Sequence, residues 1–541
     1  MRVRYREKSP LAPIYVSSNH QILLEVFVDS SSVRGKLLWA SFLTLIASGF
    51  GFATRAAAGG VWEREFGLGG GQFGAIMGAG FLGFAVMIFF GGILVEKFGY
   101  KKLLLLAFVM HLVSAAMLFM VGPAFSALAE SDPTAATDRA FVVLWWSVFL
   151  FSICQGLYEA VINPLIAQLY PESQTHHLNI LHAGWPGGMI VGGLFAACFI
   201  GNDCWITELP WTFSLSSFAI VVLIYGILVI PQKFPSTVGE STSNFATIFS
   251  CFVSLPFLLL MVLHGLLAYM ELGVDSWMTK LMENLLPNSI LILVYTSMLM
   301  FVLRFFAGPI VHKINPIGLL LASSVIAVLG LLWLALPIQS VAVIFAAATF
   351  YSFGKAFLWP TMLGIAGERY PQCGSVAMGA LGAAGMLSVG LIGGVRIGTQ
   401  QGYSMSEDLK ANAPATFERY ASPETTTAWG YSYQEIIPER LNAANSIKVG
   451  EDGSIGGTAS IADSKIIQDA DKQILLDNAA EDVPVVQASA LSGGRRALKL
   501  TAYIPAAMAI GYLILLLYYK AIGGYRVLTL DEALGKVKSE V

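Results

Sequence analysis

The sequence predicts an all-α membrane protein with twelve transmembrane helices in two six-helix halves. Of its 541 residues, 56% are hydrophobic and only 12% are charged, whereas soluble domains have about 25% charged residues. Apolar runs of about 20 residues, the length of a membrane-spanning helix, recur from end to end. A polar connection separates six such runs from six more. Outer-membrane barrels show short alternating segments instead, so that class is excluded.

The apolar runs give the spans in chain order. The predicted edges are 37–59, 72–95, 101–122, 141–169, 178–201, 212–231, 252–279, 289–312, 316–337, 340–366, 374–397 and 499–520. Each run is long enough to cross the hydrocarbon core as a helix.

These spans divide the chain into four predicted parts. Residues 1–36 form an N-terminal tail, 37–231 a six-helix bundle, 232–251 a polar linker and 252–541 a second bundle. The second bundle carries a long, acidic insert, residues 398–498, between spans 11 and 12. Within that insert we expect a glycine-rich piece near 451–457 and a short helix near 469–480.

Basic residues in the short loops predict the orientation. Lys and Arg gather on one side of the predicted membrane, in both tails, the 96–102 loop and the linker, while acids such as Glu130 and Asp138 occupy an opposite loop. The positive-inside rule then places both termini in the cytoplasm and the insert outside, in a multi-pass protein of the cytoplasmic (inner) membrane. The basic start of the chain is not followed by a short apolar core with a cleavage site, so span 1 is expected to direct insertion.

The two halves share a weak internal repeat, as expected of duplicated transporter folds. Asn163-Pro164 and Tyr170-Pro171 in the first half are followed by Gly184, Gly188, Gly192 and Gly193. The second half has Trp359-Pro360 and Tyr370-Pro371, then Gly385, Gly390, Gly393 and Gly394. Small residues at such spacing allow close helix packing.

The turn after span 2 carries a recognisable motif: Gly92, Glu96, Lys97, Gly99, Lys101 and Lys102. It resembles the signature loop between spans two and three of the major facilitator superfamily, and the resemblance implies the twelve-helix fold of that family. The glycines permit a tight turn, and the acid can cap or pair with a neighbouring helix end in one state of the transporter. We group Arg304, near the inner end of span 8, with this loop as a predicted conformational latch. The alternative interpretation of the loop is a solvated basic turn.

Other stretches resemble the fucose–galactose–glucose:proton symporter branch of that superfamily. They are Gly156-x-x-Glu159-Ala-x-x-Asn163-Pro164, Leu178-Asn179-x-x-His182-Ala183, Tyr269-x-Glu271 with Trp277, and Phe357-x-Trp359-Pro360-Thr361. That branch has an acid in its first span, where this chain has Arg55 instead. The departure puts proton coupling inferred from the branch in doubt.

Polar residues form one-sided stripes in the first and fourth spans of each half, positions that line the central cavity in the superfamily that the chain resembles. Gln155, Glu159 and Asn163 are four residues apart, so they share one helix face. A charge at the bilayer centre costs about 2.5–3.5 kcal/mol on insertion scales, which favours a functional role. The matching stripes are Arg55 in span 1, His264, Glu271 and Asp275 in span 7, and Tyr351, Lys355 and Trp359 in span 10.

Each of these groups also has a structural interpretation. Arg55 could snorkel to the outer surface, and Asp275 could be interfacial. Glu271 and Lys355 could form a buried ion pair that joins two helices. His182 and His264 could be hydrogen-bonded residues without a ligand.

The pattern predicts a secondary active transporter that moves a small polar solute by alternating access, with a sugar as the leading substrate and a proton as the candidate coupling ion. The substrate-binding or coupling residues are predicted to be Gln155, Glu159, Asn163, Asn179, His182, Arg55, Glu271, Lys355 and Trp359. An organic-anion transporter is the alternative because Arg55 and Lys355 are cations, and a non-transporting membrane sensor is a more distant one.

The sequence has no metal-ligand cluster, nucleophile elbow or nucleotide loop, so neither an enzyme nor a cofactor is expected. The net charge of −3 gives no sign of a nucleic-acid partner.

Overall fold

The computed structural model describes residues 19–66, 68, 70–200, 204–237, 245–282, 290–338, 340–449, 455–456 and 469–535. Parts of the predicted N-terminal tail, of the linker and of the glycine-rich piece lie outside the described residues, as do the last six residues.

The described part of the chain contains twelve apolar helical segments, as predicted. Eleven are long enough to span a membrane: Val33–Ala57, Gln72–Phe98, Tyr100–Ala129, Thr134–Leu169, Pro171–Phe199, Trp211–Val229, Leu255–Met278, Lys313–Leu334, Val341–Arg369, Pro371–Asn412 and Ala479–Ala521. A shorter apolar helix, Ile290–Arg304, lies between the seventh and eighth of these. We number all twelve as spans 1 to 12 in chain order, so Ile290–Arg304 is span 8.

Several spans are interrupted near polar residues. Span 7 contains a π-helical turn at Tyr269–Gly273, and span 11 contains another at Val389–Gly393. Such turns are rare and occur often at functional sites. Span 8 ends at Arg304, and the chain re-forms a helix from Ala307. Asn315, with φ 55°, interrupts that helix near the start of span 9, directly before Pro316.

The insert between spans 11 and 12 has its own fold. Its predicted edges at 398 and 498 lie inside helices, since one helix continues to Asn412 and the next begins at Ala479. Between them are helices Pro414–Tyr420, Pro438–Ser446 and Asp469–Asp477, and strands Ala421–Ala428, Tyr431–Ile436, Lys448–Val449 and Ile455–Gly456. The third of these helices is the one predicted near 469–480.

A two-residue turn at Trp429–Gly430 closes the first hairpin of the insert. The two residues have φ values of 52° and 82°, as such hairpin turns require. The strands pair antiparallel, with Thr425 opposite Gln434. Beneath them, Arg419 Nε donates a 2.8 Å hydrogen bond to the buried Asp482 carboxylate. That bond raises the pKa of the Arg419 guanidinium.

The two ends of the helical bundle are distinct. Ser375 N donates to Glu96 Oε1 at 3.2 Å, and Leu528 N donates to Glu368 O at 2.8 Å. The turn after span 2, the turn after span 10 and the segment after span 12 therefore meet at one end, which we call the terminal face. The insert lies at the other end, which we call the insert face.

Candidate functional site

The polar stripe of span 4 continues as a hydrogen-bonded chain into span 5. Asn163 Nδ2 donates to Glu159 Oε2 at 3.2 Å. The Asn163 Oδ1 acceptor lies 2.9 Å from His182 Nε2, so this ring nitrogen is the donor. All three side chains are buried. Residues predicted separately from two motifs are therefore in direct contact.

Arg304 extends this chain from the first half into the second. Its guanidinium donates to His182 O at 2.5 Å, to Ala356 O at 2.7 Å and to Glu271 Oε1 at 3.3 Å. Its side chain is only 2% exposed, so it lies in the middle of the site rather than with the loop after span 2. We call Glu159, Asn163, His182, Arg304 and Glu271 the central cluster.

The structural alternative of an ion pair between Glu271 and Lys355 does not occur in the structure. Lys355 pairs with Asp275, and Glu271 pairs with Arg304. The π-helical turn at Tyr269–Gly273 changes the rotation between the two acids of span 7, which regular spacing does not reveal. Asp275 is also buried, at 4% exposure, and its carboxylate pairs with Lys355.

Aromatic rings from the second half lie beside the central cluster. The Trp359 and His264 rings are 4.4 Å apart between centroids. The Trp359 indole lies near enough to Glu159 to interact with its carboxyl group, although the N–H lacks hydrogen-bond geometry. Tyr351 donates to Met270 O at 3.1 Å, and Lys355 Nζ lies 5.3 Å from the Tyr351 ring centroid.

Several buried polar atoms near these residues have no hydrogen-bond partner within the described protein. They come from both halves: Gln155 Nε2, Asn179 Oδ1, both His264 ring nitrogens, Glu271 Oε2 and Trp359 Nε1. Buried polar atoms in native proteins are normally hydrogen-bonded, so a concentration of unpaired donors and acceptors is a mark of a site for a polar ligand.

Arg55 is buried rather than snorkelling. It is 7% exposed, and its guanidinium carbon lies 3.7 Å from the Phe151 ring centroid. Within the described residues, no hydrogen bond or ion pair involves its side chain. Nearby, His111 Nδ1 lies 2.6 Å from Tyr158 Oη, and Tyr158 is hydrogen-bonded to Tyr225. Sequence patterns do not reveal these partners, because they come from spans 3, 4 and 6.

The loop after span 2 contacts the second half at the terminal face. Glu96 Oε1 accepts from Ser375 N and, at 2.7 Å, from Ser375 Oγ, at the start of the helix Gly374–Ser388. A carboxylate at a helix N-terminus is favoured by the helix dipole. Gly99 has φ 77°, which glycine tolerates. Lys101 donates to Gln232 O at 3.0 Å, and Lys97 lies over the Phe98 ring.

Sequence reasoning missed a second contact at this face. Glu368 Oε1 accepts from Thr175 N at 3.2 Å and from Thr175 Oγ1 at 2.6 Å, and Glu368 Oε2 accepts from Tyr525 at 2.6 Å. The signal was present, because Glu368 precedes the repeated Tyr370-Pro371 pair. Asn179, one turn from Thr175, donates to Thr361 Oγ1 at 3.3 Å across the same boundary.

No group of three His, Cys, Asp or Glu able to hold a metal occurs in the described part of the chain.

A family model, the Major Facilitator Superfamily, matches residues 40–393. The chain belongs to this superfamily. It is therefore a multi-pass secondary transporter of a small molecule in a lipid bilayer, and not an enzyme. No curated protein sequence matches the chain.

Solved structures share the fold at low sequence identity. The proton:xylose symporter XylE, bound to 6-bromo-6-deoxy-D-glucose, is 15% identical, with a TM-score of 0.58 over 71% of this chain and 91% of that chain. The transporter FucP in its outward conformation is 18% identical, with a TM-score of 0.52 over 68% and 91%. The human organic anion transporter MFSD10 is 12% identical, with a TM-score of 0.53 over 89% and 99%.

Proposed function

We propose that this transporter carries a small neutral polyhydroxylated solute of the sugar type, coupled to a proton at Glu159. The observation that carries the proposal is the concentration of unpaired buried donors and acceptors from both halves around the central cluster. A solute with several hydroxyl groups can satisfy such atoms at once because each hydroxyl both donates and accepts. Trp359 provides a ring face of the kind on which a sugar can pack.

The charge arrangement supports a neutral solute. Both cations of the second half near the site already have carboxylate partners, Arg304 with Glu271 and Lys355 with Asp275. An anion that recruited Lys355 would leave Asp275 buried without its partner. Breaking a buried pair in this way costs about 3–5 kcal/mol.

Glu159 is the candidate coupling group because its hydrogen-bond partner in the described protein is the neutral Asn163. Protonation of Glu159 removes a negative charge from a chain that runs through His182 to Arg304. That chain joins the two halves, so a proton at Glu159 changes the relative free energies of the two transport states. The resemblance of span 4 to the fucose–galactose–glucose:proton symporter branch points the same way. Cytoplasmic termini in an inner membrane complete the proposal, on the basis of the short basic loops.

Glu159→Gln tests the coupling directly. In proteoliposomes, we expect this variant to lose accumulation of labelled sugar driven by a pH gradient while it keeps sugar exchange at equal pH, since the amide keeps its shape but cannot ionise. Glu96→Gln is the matched control: it removes a carboxylate from the loop after span 2 and should slow both activities alike. Gradient-driven accumulation by Glu159→Gln at the wild-type level would refute the assignment.

An organic anion is the second candidate, and Arg55 favours it because this buried cation has no carboxylate partner in the described residues. A thermal-shift screen of the purified protein against neutral sugars and sugar acids, at two pH values, separates the candidates. We expect stabilisation by a neutral sugar that Arg55→Gln retains. Stabilisation by sugar acids alone, lost in Arg55→Gln, would favour the anion transporter instead.

A further inference from the structure

A basic stripe lies on the insert-side helix of span 12. Arg495, Arg496 and Lys499 follow Ser492 at intervals of three, four and seven residues, so all four lie on one side of the helix Ala479–Thr501. With Ala335, Leu500 and Tyr503 they line a pocket of about 490 Å³ at the insert face. Neither the predicted sites nor the proposed transport function uses it.

The pocket has an excess of positive charge. No carboxylate is among its lining residues. Arg495 Nη2 donates to Ile338 O at 3.1 Å, and within the described residues neither the Arg496 nor the Lys499 side chain has a hydrogen bond or ion pair. The acid at its edge is Asp408, which accepts a 3.4 Å hydrogen bond from Ser492. The three cations therefore converge without enough negative charge to balance them.

The pocket lies beside the end of a membrane span and next to exposed apolar surface. Ala335 directly follows the end of span 9 at Leu334. Leu336 and Tyr503 are 53% and 68% exposed, so apolar and aromatic surface continues from the pocket along the bundle. Tyrosine is enriched at the level of lipid headgroups. The pocket thus lies at the boundary between the hydrocarbon core and water.

The three cations lie beside a long insert that is expected to be extracytoplasmic. The positive-inside rule counts basic residues in short loops, so it does not account for them. A specific anionic partner would explain their presence, because basic pockets between spans bind anionic headgroups. Arginine suits phosphate in particular, since its planar group can donate two parallel hydrogen bonds.

We propose that this pocket binds the phosphate headgroup of an anionic phospholipid. Arg495, Arg496 and Lys499 contact the phosphate, and Leu500 and Tyr503 contact the start of an acyl chain. The bound lipid would join span 9 to span 12 and so bear on how the insert is held against the second half.

The test measures lipid binding to the purified full-length protein in detergent. Native mass spectrometry would count retained phosphatidylglycerol and phosphatidylcholine for the wild type, Arg496→Gln/Lys499→Gln and Arg139→Gln. The last variant is the matched control, because it removes an exposed cation at the predicted same face but outside the pocket. A parallel thermal-shift titration with inorganic phosphate tests a free anion.

We expect wild-type protein and Arg139→Gln to bind phosphatidylglycerol more tightly than phosphatidylcholine, and the double variant to lose about tenfold or more in phosphatidylglycerol affinity. Arg496→Lys, which keeps the charge, should retain most of it. Equal losses in the double variant and Arg139→Gln would overturn the site. Stabilisation by inorganic phosphate equal to that by the lipid would overturn the lipid assignment in favour of a free-anion site.

Discussion

At the central site, the two halves of the transporter hold their buried charges differently. In the first half, Glu159 is held by the neutral Asn163, and Arg55 lies against the Phe151 ring. In the second half, Glu271 and Asp275 each face a cation. A carboxylate that is hydrogen-bonded to a neutral group can lose its charge without leaving a paired cation alone, whereas a carboxylate in an ion pair cannot. The first half is therefore suited to respond to a proton, and the second half to hold the site together.

Removing Lys355 should test this contrast most strongly. Lys355→Ala leaves Asp275 buried and unpaired, so we expect a loss of about 3–5 kcal/mol in stability, measured by chemical denaturation in detergent. Glu159→Gln should lose far less stability, because the hydrogen-bond partner of Glu159 is the neutral Asn163. The double variant Lys355→Met/Asp275→Leu replaces both charges with apolar groups and should recover most of the loss. If Lys355→Ala were as stable as the double variant, a structural role for the ion pair would be contradicted.

The glycine runs extend the comparison to packing. A methyl group at Gly192 would lie 2.6 Å from Phe50 O of span 1, whereas the nearest neighbour of one at Gly394 would be Val389 O, at 3.7 Å. Backbone cannot move aside as a side chain can. We therefore expect Gly192→Ala to lower the melting temperature, at a cost of about 1–3 kcal/mol, and Gly394→Ala to leave it nearly unchanged. Equal effects of the two substitutions would show that the halves pack alike.

The contact between the halves at the terminal face should have the smallest effect. Glu368→Gln weakens its hydrogen bonds to Thr175 and Tyr525, which favours separation of spans 5 and 10. Hydrogen bonds to a charged group contribute about 1.5–3 kcal/mol, and the amide of the variant keeps some of them. The population of the state in which spans 5 and 10 touch at the terminal face should therefore change by roughly tenfold. Distances between spin labels on the two spans would measure it. Thr529→Ala, in an exposed helix cap of the same C-terminal segment, is the control and should not change the distribution.

The sequence was sufficient for the spans because the bilayer constrains length and polarity together. It also picked out Glu159 and Asn163, since one-sided polar stripes in apolar helices have few structural explanations, and the resemblance to the symporter branch added His182. The sequence did not predict which buried charges pair with each other. Because span 7 contains a π-helical turn, Lys355 pairs with Asp275 rather than with Glu271. No spacing rule predicts that Arg304 lies between His182 and Glu271.

The sequence by itself determined the membrane class, the twelve spans, the position of the insert and which helix faces are polar. Those properties depend on local hydrophobicity and helical periodicity, which a single chain displays directly. Only the tertiary structure decided which charges are neutralised, that Arg304 joins the halves, and that three cations of the insert-side helix share one pocket with the end of span 9. These depend on contacts between residues that are far apart in the chain, and a local change such as one π-helical turn is enough to redirect them.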